Sequence, residues 1–339
     1  RQRTRTILGS TILVVALVGA TVALVVWDSS SRVVPRDQVE PALLLQDHIS
    51  PLTSYRVWKQ NSHYTTPLFR VSGDDLPPRL RLAVVDSYDG IDFTISTEAE
   101  DGRFTRFPSA NPTSEMSEVR VDIEEGYADI WVPLAPPLGQ RLAFSGPRPL
   151  LLEDTFYLNP ARGAGIVIGD GDGLKQGDSY TTLMSTTPAP ELDAAPISEI
   201  PLLDAETHPE LFTWLENNSF TPGAKGLTTA VEALRARGYL SHSLELGEET
   251  PRWLSQLQED HEFTFFSSPG GHNTARIEHL FAELNEQDSL LPSDATDKQR
   301  IAAIGDDEQF ATAAALVARA LGYDSRIVIG VRLGDEGAG

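Results

Sequence analysis

The distribution of apolar and polar residues divides the chain into five parts. Residues 6–27 form an uncharged apolar run, and residues 28–53 are polar and interrupted by proline. Between 54 and 190, short apolar or alternating stretches are separated by Gly, Pro and Asp turns, a pattern typical of antiparallel strands. A Pro- and Ala-rich linker at 191–203 precedes residues 204–339, where apolar positions recur at helical spacing. We therefore predict an α+β fold: an N-terminal transmembrane helix, an antiparallel β-rich, sandwich-like domain, and a helix-plus-sheet domain.

The same pattern predicts individual elements. Strands are expected at 68–71, 80–85, 91–95, 118–123, 129–132, 141–144, 155–158, 165–168 and 179–185. Helices are expected at 209–217, 227–237 and 274–284, and from 306 or 307 onward, with a last strand at 327–329. The stretch 28–53 is expected to be a tether, and the polar stretch 245–271 gives no clear prediction.

The apolar run at 6–27 is long enough to cross a membrane. Its 22 residues span about 33 Å as a helix, and a bilayer core is about 30 Å thick. Three arginines precede the run and Trp27 ends it, so the positive-inside rule places residues after about 28 outside the cytoplasm. A cleaved signal peptide is the alternative, but the run is long for one and no clear cleavage site follows. We expect a retained single span, and thus a location in the cell membrane.

Charge and composition limit the possible partners. The chain carries a formal charge of −22, and residues 1–40 hold five Arg against three acids, so the remainder carries −22 minus 2, or −24. Such a body is repelled by nucleic acid and by anionic lipid surfaces, and acidity keeps an exported protein soluble. The chain has no Cys, which excludes disulfides and Cys-based metal sites within it. The Asp-Gly repeat at 169–173 lacks the closing Glu of a calcium loop and predicts a hairpin turn. We expect no cofactor and no metal.

The most informative stretch is the helix that begins near residue 306. Asp306 or Asp307 can cap it, and Asp306 with Gln309 has the spacing of a capping box. Small and apolar residues then recur along one face up to Leu321, and Gly322 is expected to end the helix. The run at 327–329 is typical of a buried strand.

Two stretches resemble the transglutaminase-like, papain-fold superfamily, in particular a bacterial membrane-anchored group. Residues 79–90 are similar to a strand that enters the family's Tyr-Asp-Gly turn, and residues 305–330 are similar to its catalytic helix and following strand. The resemblance implies an extracytoplasmic β-rich region followed by a transglutaminase-like domain that is incomplete in this chain. The chain begins with Arg rather than Met, and we expect it to be a segment of a longer protein.

The resemblance also implies where a nucleophile would be. In active members a Cys stands at the position of Asp307, where the positive end of the helix dipole would help a thiol lose its proton. A His and an Asp would follow on strands beyond residue 330. Asp307 is a poor acyl acceptor, because an acyl-Asp would be an anhydride. Among the seven His only His272 lies in a suggestive loop, and since a single loop His is usually exposed, we expect no catalytic role for it.

Three functional hypotheses follow. The leading one is a catalytically inactive, membrane-anchored protein that acts as a binding or scaffolding module of the bacterial cell envelope, with an envelope protein or the cell wall as partner. The alternative is an acyl-transfer enzyme that uses Asp307 or groups outside this segment. The third is a purely structural ectodomain whose β-region binds a membrane partner or a wall glycan.

Overall fold

A computed structural model describes residues 45, 48, 50–58, 63, 66–96, 103–106, 115–168, 173–187, 192, 195–237, 270–292, 294–295 and 305–333. All of them belong to one compact unit, Pro41–Gly339. The elements in chain order are α1 (Pro51–Trp58), β1 (Phe69–Gly73), β2 (Arg79–Val85), β3 (Ser87–Tyr88), β4 (Phe93–Thr94), β5 (Met116–Ile123), β6 (Trp131–Val132), β7 (Ala143–Ser145), α2 (Pro149–Thr155), β8 (Phe156–Asn159), β9 (Ala164–Val167), β10 (Ser179–Ser185), α3 (Pro209–Asn217), α4 (Ala224–Ala236), α5 (Thr274–Leu290), α6 (Asp307–Ala320) and β11 (Ile327–Arg332).

The fold is a mixed α+β fold with antiparallel sheets, as predicted. A four-stranded sheet has the order β1-β5-β10-β7, and a three-stranded sheet has the order β6-β9-β8. In β5 the buried residues Val119, Val121 and Ile123 alternate with exposed or half-exposed polar ones. One face of that strand therefore enters the core, because successive side chains of a strand point to opposite faces.

The strand β11 pairs with β2 in an antiparallel two-stranded sheet. Ile327 lies opposite Val85 and Arg332 lies opposite Arg79, with a shift in register between Ile329 and Gly330. These strands come from the predicted β-rich region and from the predicted helix-plus-sheet region. The two predicted regions therefore share a sheet, and one hydrophobic cluster runs through both.

The segment at 191–203 lies against the end of α6 where the structure describes it. The backbone N–H of Ser198 donates to the carbonyl of Gly322, and that of Leu202 donates to the carbonyl of Arg319. Gly322 has a φ of +89° and follows Leu321, the C-cap of α6, so it ends the helix as predicted.

Helices α3 and α5 pack against each other through aromatic side chains. Trp214 of α3 is fully buried, and its ring centroid lies 5.3 Å from that of Phe281 of α5. The apolar stripe predicted for α5, Ile277 to Leu284, is buried. The helix itself continues six residues beyond its predicted end, to Leu290.

Two helices were absent from the sequence-based prediction. Residues 54–58 were expected to begin the strand-like region, but they lie in α1, where Pro51 opens the helix and only Pro51 and Leu52 are buried. The helix α2 directly precedes β8, with Pro149 in its first turn. Both helices are too short to show a clear apolar period, which explains why the pattern did not reveal them.

No helix in the described part of the chain is both long enough and apolar enough to cross a membrane. The predicted span at 6–27, most of the predicted tether, the turn at 169–172 and the stretch 245–269 lie outside the described residues.

Candidate functional site

The candidate site is the beginning of α6, where three consecutive acids contact two other parts of the molecule, helix α1 and the loop before α5. Gly305 adopts a φ of +85°, and Asp306 then caps the helix. The Asp306 side chain accepts a hydrogen bond of 3.1 Å from the backbone N–H of Gln309. This is the cap that the spacing of the two residues predicted, and it satisfies one of the free N–H groups at the helix start.

Asp307 is the first residue of α6, and its side chain is half-buried. The hydroxyl of Tyr55 donates to Oδ2 of Asp307 over 2.5 Å. A carboxylate at this position interacts favourably with the positive end of the helix dipole. The residue at the expected nucleophile position is thus a carboxylate bound by a tyrosine of α1.

Asp306 lies beneath the same helix α1. It is completely buried, and its Oδ2 is 3.5 Å from a guanidinium nitrogen of Arg56. The guanidinium of Arg56 also lies against Gly270, where a Cβ atom would come within 2.1 Å of Nη1. Gly270 therefore leaves the space in which Arg56 reaches Asp306.

Glu308 contacts His272, which lies in the loop before α5. Nδ1 of His272 lies 2.7 Å from Oε1 of Glu308, and Nε2 lies 2.6 Å from Oδ1 of Asp92. His272 is 2% exposed and Glu308 is 1% exposed, so the imidazole and one carboxylate are buried, whereas the second carboxylate, Asp92, is 25% exposed. This cluster connects α6 to the turn between β3 and β4.

The cluster keeps His272 protonated. Burial by itself lowers the pKa of His272, but the hydrogen bonds and charges of Asp92 and Glu308 outweigh it and raise the pKa to about 9. The backbone N–H of Phe93 also lies 3.2 Å from Nε2 of His272. Only a neutral ring could accept a hydrogen bond from this N–H group. Two flanking carboxylates favour the charged ring, which donates from both nitrogens.

The expectation that His272 is an exposed loop residue is wrong. Gly271 adopts a φ of +95°, and the side chain of Asn273 caps α5 by accepting from the N–H of Arg276. The hydroxyl of Tyr88 donates to the carbonyl of His272 over 2.8 Å, which fixes the loop against β3. The Asn cap is visible in the sequence, but the approach of Asp92 and Glu308 is a tertiary contact with no local signal.

The cluster of Asp92, His272 and Glu308 is arranged as an ion network that stabilises the fold. Both ring nitrogens of His272 are engaged by Asp92 and Glu308 and not by Asp307. A general base needs a free nitrogen within hydrogen-bond reach of the group that it deprotonates. Where the structure describes the chain, no three His, Asp or Glu side chains are grouped so as to hold a metal ion.

Comparisons of the chain with models of protein families, with characterised proteins and with solved structures gave no match.

Proposed function

We propose that the chain is a membrane-anchored, extracytoplasmic, transglutaminase-like protein that does not catalyse acyl transfer. It acts as a binding or scaffolding module of the bacterial cell envelope. The observation that carries the proposal is Asp307, a carboxylate at the first position of α6, where the family resemblance places a Cys.

The surroundings of Asp307 support an inactive site. A carboxylate that accepts a short hydrogen bond from Tyr55 is stabilised as an anion and is therefore less nucleophilic. Attack on an amide would also give an anhydride, which needs dedicated groups to control it. Both effects oppose acyl transfer through Asp307.

The engagement of His272 supports the same conclusion. A protonated imidazole with both N–H groups bound to carboxylates has no lone pair with which to take up a proton. The role that the geometry supports for His272 is to hold α5, α6 and the turn before β4 together.

Membrane anchoring rests on the apolar run at 6–27 and the arginines that precede it. Because the chain has no Cys, single engineered thiols can report its topology. With a maleimide that does not cross membranes, we expect labelling of Ser72→Cys in intact cells, and labelling of Gln2→Cys only after lysis. Labelling of both before lysis, or of neither, would contradict the proposed orientation.

The absence of catalysis is tested by measuring ammonia release and amine incorporation with Gln-containing peptides. We expect the chain, Asp307→Asn and the control Asp324→Asn, an exposed acid outside the site, to give the same background rate. Turnover by the chain that Asp307→Asn abolishes and Asp324→Asn leaves intact would overturn the proposal. It would instead favour the acyl-transfer alternative.

A further inference from the structure

Four arginines lie together on the sheet formed by β2 and β11, in a body that is otherwise strongly acidic. Arg79 and Arg81 belong to β2, Arg332 ends β11, and Arg326 directly precedes it. Arg332 lies opposite Arg79, and Gly330 lies opposite Arg81, so these positions share one face of the sheet. We call Arg79, Arg81, Arg326 and Arg332 the arginine face.

The pattern of exposed residues in β11 shows that the side of the sheet with the arginines is directed toward solvent. Ile327 and Ile329 are buried, whereas Arg326, Val328 and Arg332 alternate with them and are exposed. Val328 is 46% exposed, which is unusual for a valine in a strand. Arg79, Arg326 and Arg332 are thus accessible, Arg81 is half-buried, and an apolar position lies between the two charged ends of the face.

Within the part of the chain that the structure describes, acids do not neutralise the charges on this face. Among the residues that the structure describes, none of the four arginines forms an ion pair with a carboxylate. The neighbouring Arg162 is paired with Asp86, so it does not add to the uncompensated charge.

Two of the arginines are already held in position by backbone carbonyls. Arg81 donates from Nη1 to the carbonyl of Arg162 over 2.6 Å, and Arg326 donates to the adjacent carbonyl of Ala161. The two guanidinium groups are therefore close neighbours. Burial lowers the pKa of Arg81, and the positive charge of Arg326 lowers it further. A pair of like charges held together in this way is relieved by an anion placed between them.

We propose that the arginine face binds an extended acidic peptide segment. Arg79 and Arg81 are two residues apart in a strand, a separation of about 7 Å. Carboxylates on alternate residues of an extended peptide have the same spacing, and a guanidinium fork matches a carboxylate in a bidentate way. The exposed Val328 favours a peptide with an apolar residue among its acids over a phosphate polymer, which has no apolar groups to place there.

The overall charge supports a short ligand. A chain of charge −22 repels a long polyanion, whereas a short segment experiences mainly the local positive potential. This proposal is independent of the one about Asp307, because peptide binding and catalysis can each be present or absent without the other.

The test uses the whole 339-residue chain and a labelled heptapeptide. The peptide has glutamate at its first, fifth and seventh positions, valine at the third and threonine elsewhere; a second peptide has lysine in place of glutamate. We expect saturable binding of the glutamate peptide, weakened by salt, and no binding of the lysine peptide. Equal binding of both peptides, or of neither, would overturn the proposal.

Variants of the chain locate the site. Arg326→Gln and Arg332→Gln are exposed substitutions, and we expect each to weaken binding about tenfold, as loss of a charge-assisted hydrogen bond implies. Arg70→Gln on β1 removes the same charge from a residue whose side chain is 76% exposed, and we expect it to have no effect. Equal loss in all three variants would show general electrostatics rather than a site. Tighter binding of tripolyphosphate than of the peptide would overturn the peptide assignment.

Discussion

The acids at the start of α6 and the arginine face show two opposite uses of charge in one chain. Asp306, Asp307 and Glu308 each contact a donor from another element, and two of the three are almost completely buried. Three of the four arginines of the arginine face are exposed and Arg81 is half-buried, and none of them has an ion pair within the described ranges. Buried charges must be paired, whereas exposed charges can remain available for a ligand. The difference assigns the α6 acids to holding the fold and the arginines to recognition.

The largest loss of stability is expected when His272 is removed, and this tests whether the acids of α6 hold the fold. His272→Ala leaves the buried carboxylate of Glu308 without its partner, and loss of one member of a buried pair costs about 3–5 kcal/mol. We expect that loss in the free energy of unfolding, measured with urea. His279→Ala, on the exposed side of α5, is the matched control and should change it by less than about 0.5 kcal/mol. A loss below about 1 kcal/mol for His272→Ala, on the scale of an exposed pair, would show that the cluster does not hold the fold.

The pH dependence of stability is a second test of whether His272 stabilises the fold. The pKa of His272 is about 9 in the folded chain, above the ordinary value of 6.5. The stability gained from protonation is therefore complete below about pH 6.5 and is lost as the pH rises through about 9. The contribution is on the order of 3 kcal/mol, from 1.36 kcal/mol for each pH unit between the two values.

Unfolding free energies measured from pH 6 to 10 provide the test. We expect the fall between pH 6.5 and 9 to be much smaller in His272→Gln, which keeps a polar side chain without a titrating ring. An equal fall in both proteins would assign the pH dependence to other groups.

These two predictions depend on contacts that no sequence pattern contains. The cap formed by Asp306 and Gln309 was predictable, because capping acts over three residues. Strand β10 was also predicted with its observed bounds. The ion network was not predictable, since it joins Asp92, His272 and Glu308, which lie 180 and 36 residues apart along the chain.

The arginine face was missed for a related reason. Arg79 and Arg81 look like ordinary polar positions of an alternating strand, and Arg326 and Arg332 lie far along the chain. Only the pairing of β2 with β11 brings them together. Local rules therefore give the elements and their caps, whereas long-range pairing decides which charges meet.

A smaller effect is expected for the hydrogen bond between Tyr55 and Asp307. A bond to a charged group contributes about 1.5–3 kcal/mol when buried, and Asp307 is half-buried, so Tyr55→Phe should cost about 1 kcal/mol. Urea unfolding measures this loss. Tyr323 is buried, and its hydroxyl makes no hydrogen bond to other described residues, so Tyr323→Phe serves as the control. If the two variants lose the same amount, the contact to Asp307 does not stabilise α1 on α6.

The smallest change in the free energy of unfolding is expected for a substitution at the arginine face. Whether that change is a gain or a loss distinguishes a surface available for a ligand from one that supports the fold. Arg326→Gln removes a positive charge that lies beside Arg81, so it should leave the free energy of unfolding unchanged or raise it by up to about 0.5 kcal/mol. Since the effect is electrostatic, the gain should shrink as salt is added. Parallel urea titrations at low and high salt measure it, with Arg70→Gln as the control, because Arg70 pairs with Glu124 and gains nothing on neutralisation. A clear loss of stability in Arg326→Gln would mean that this arginine supports the fold. The arginine face would then resemble the α6 acids rather than a surface available for a ligand.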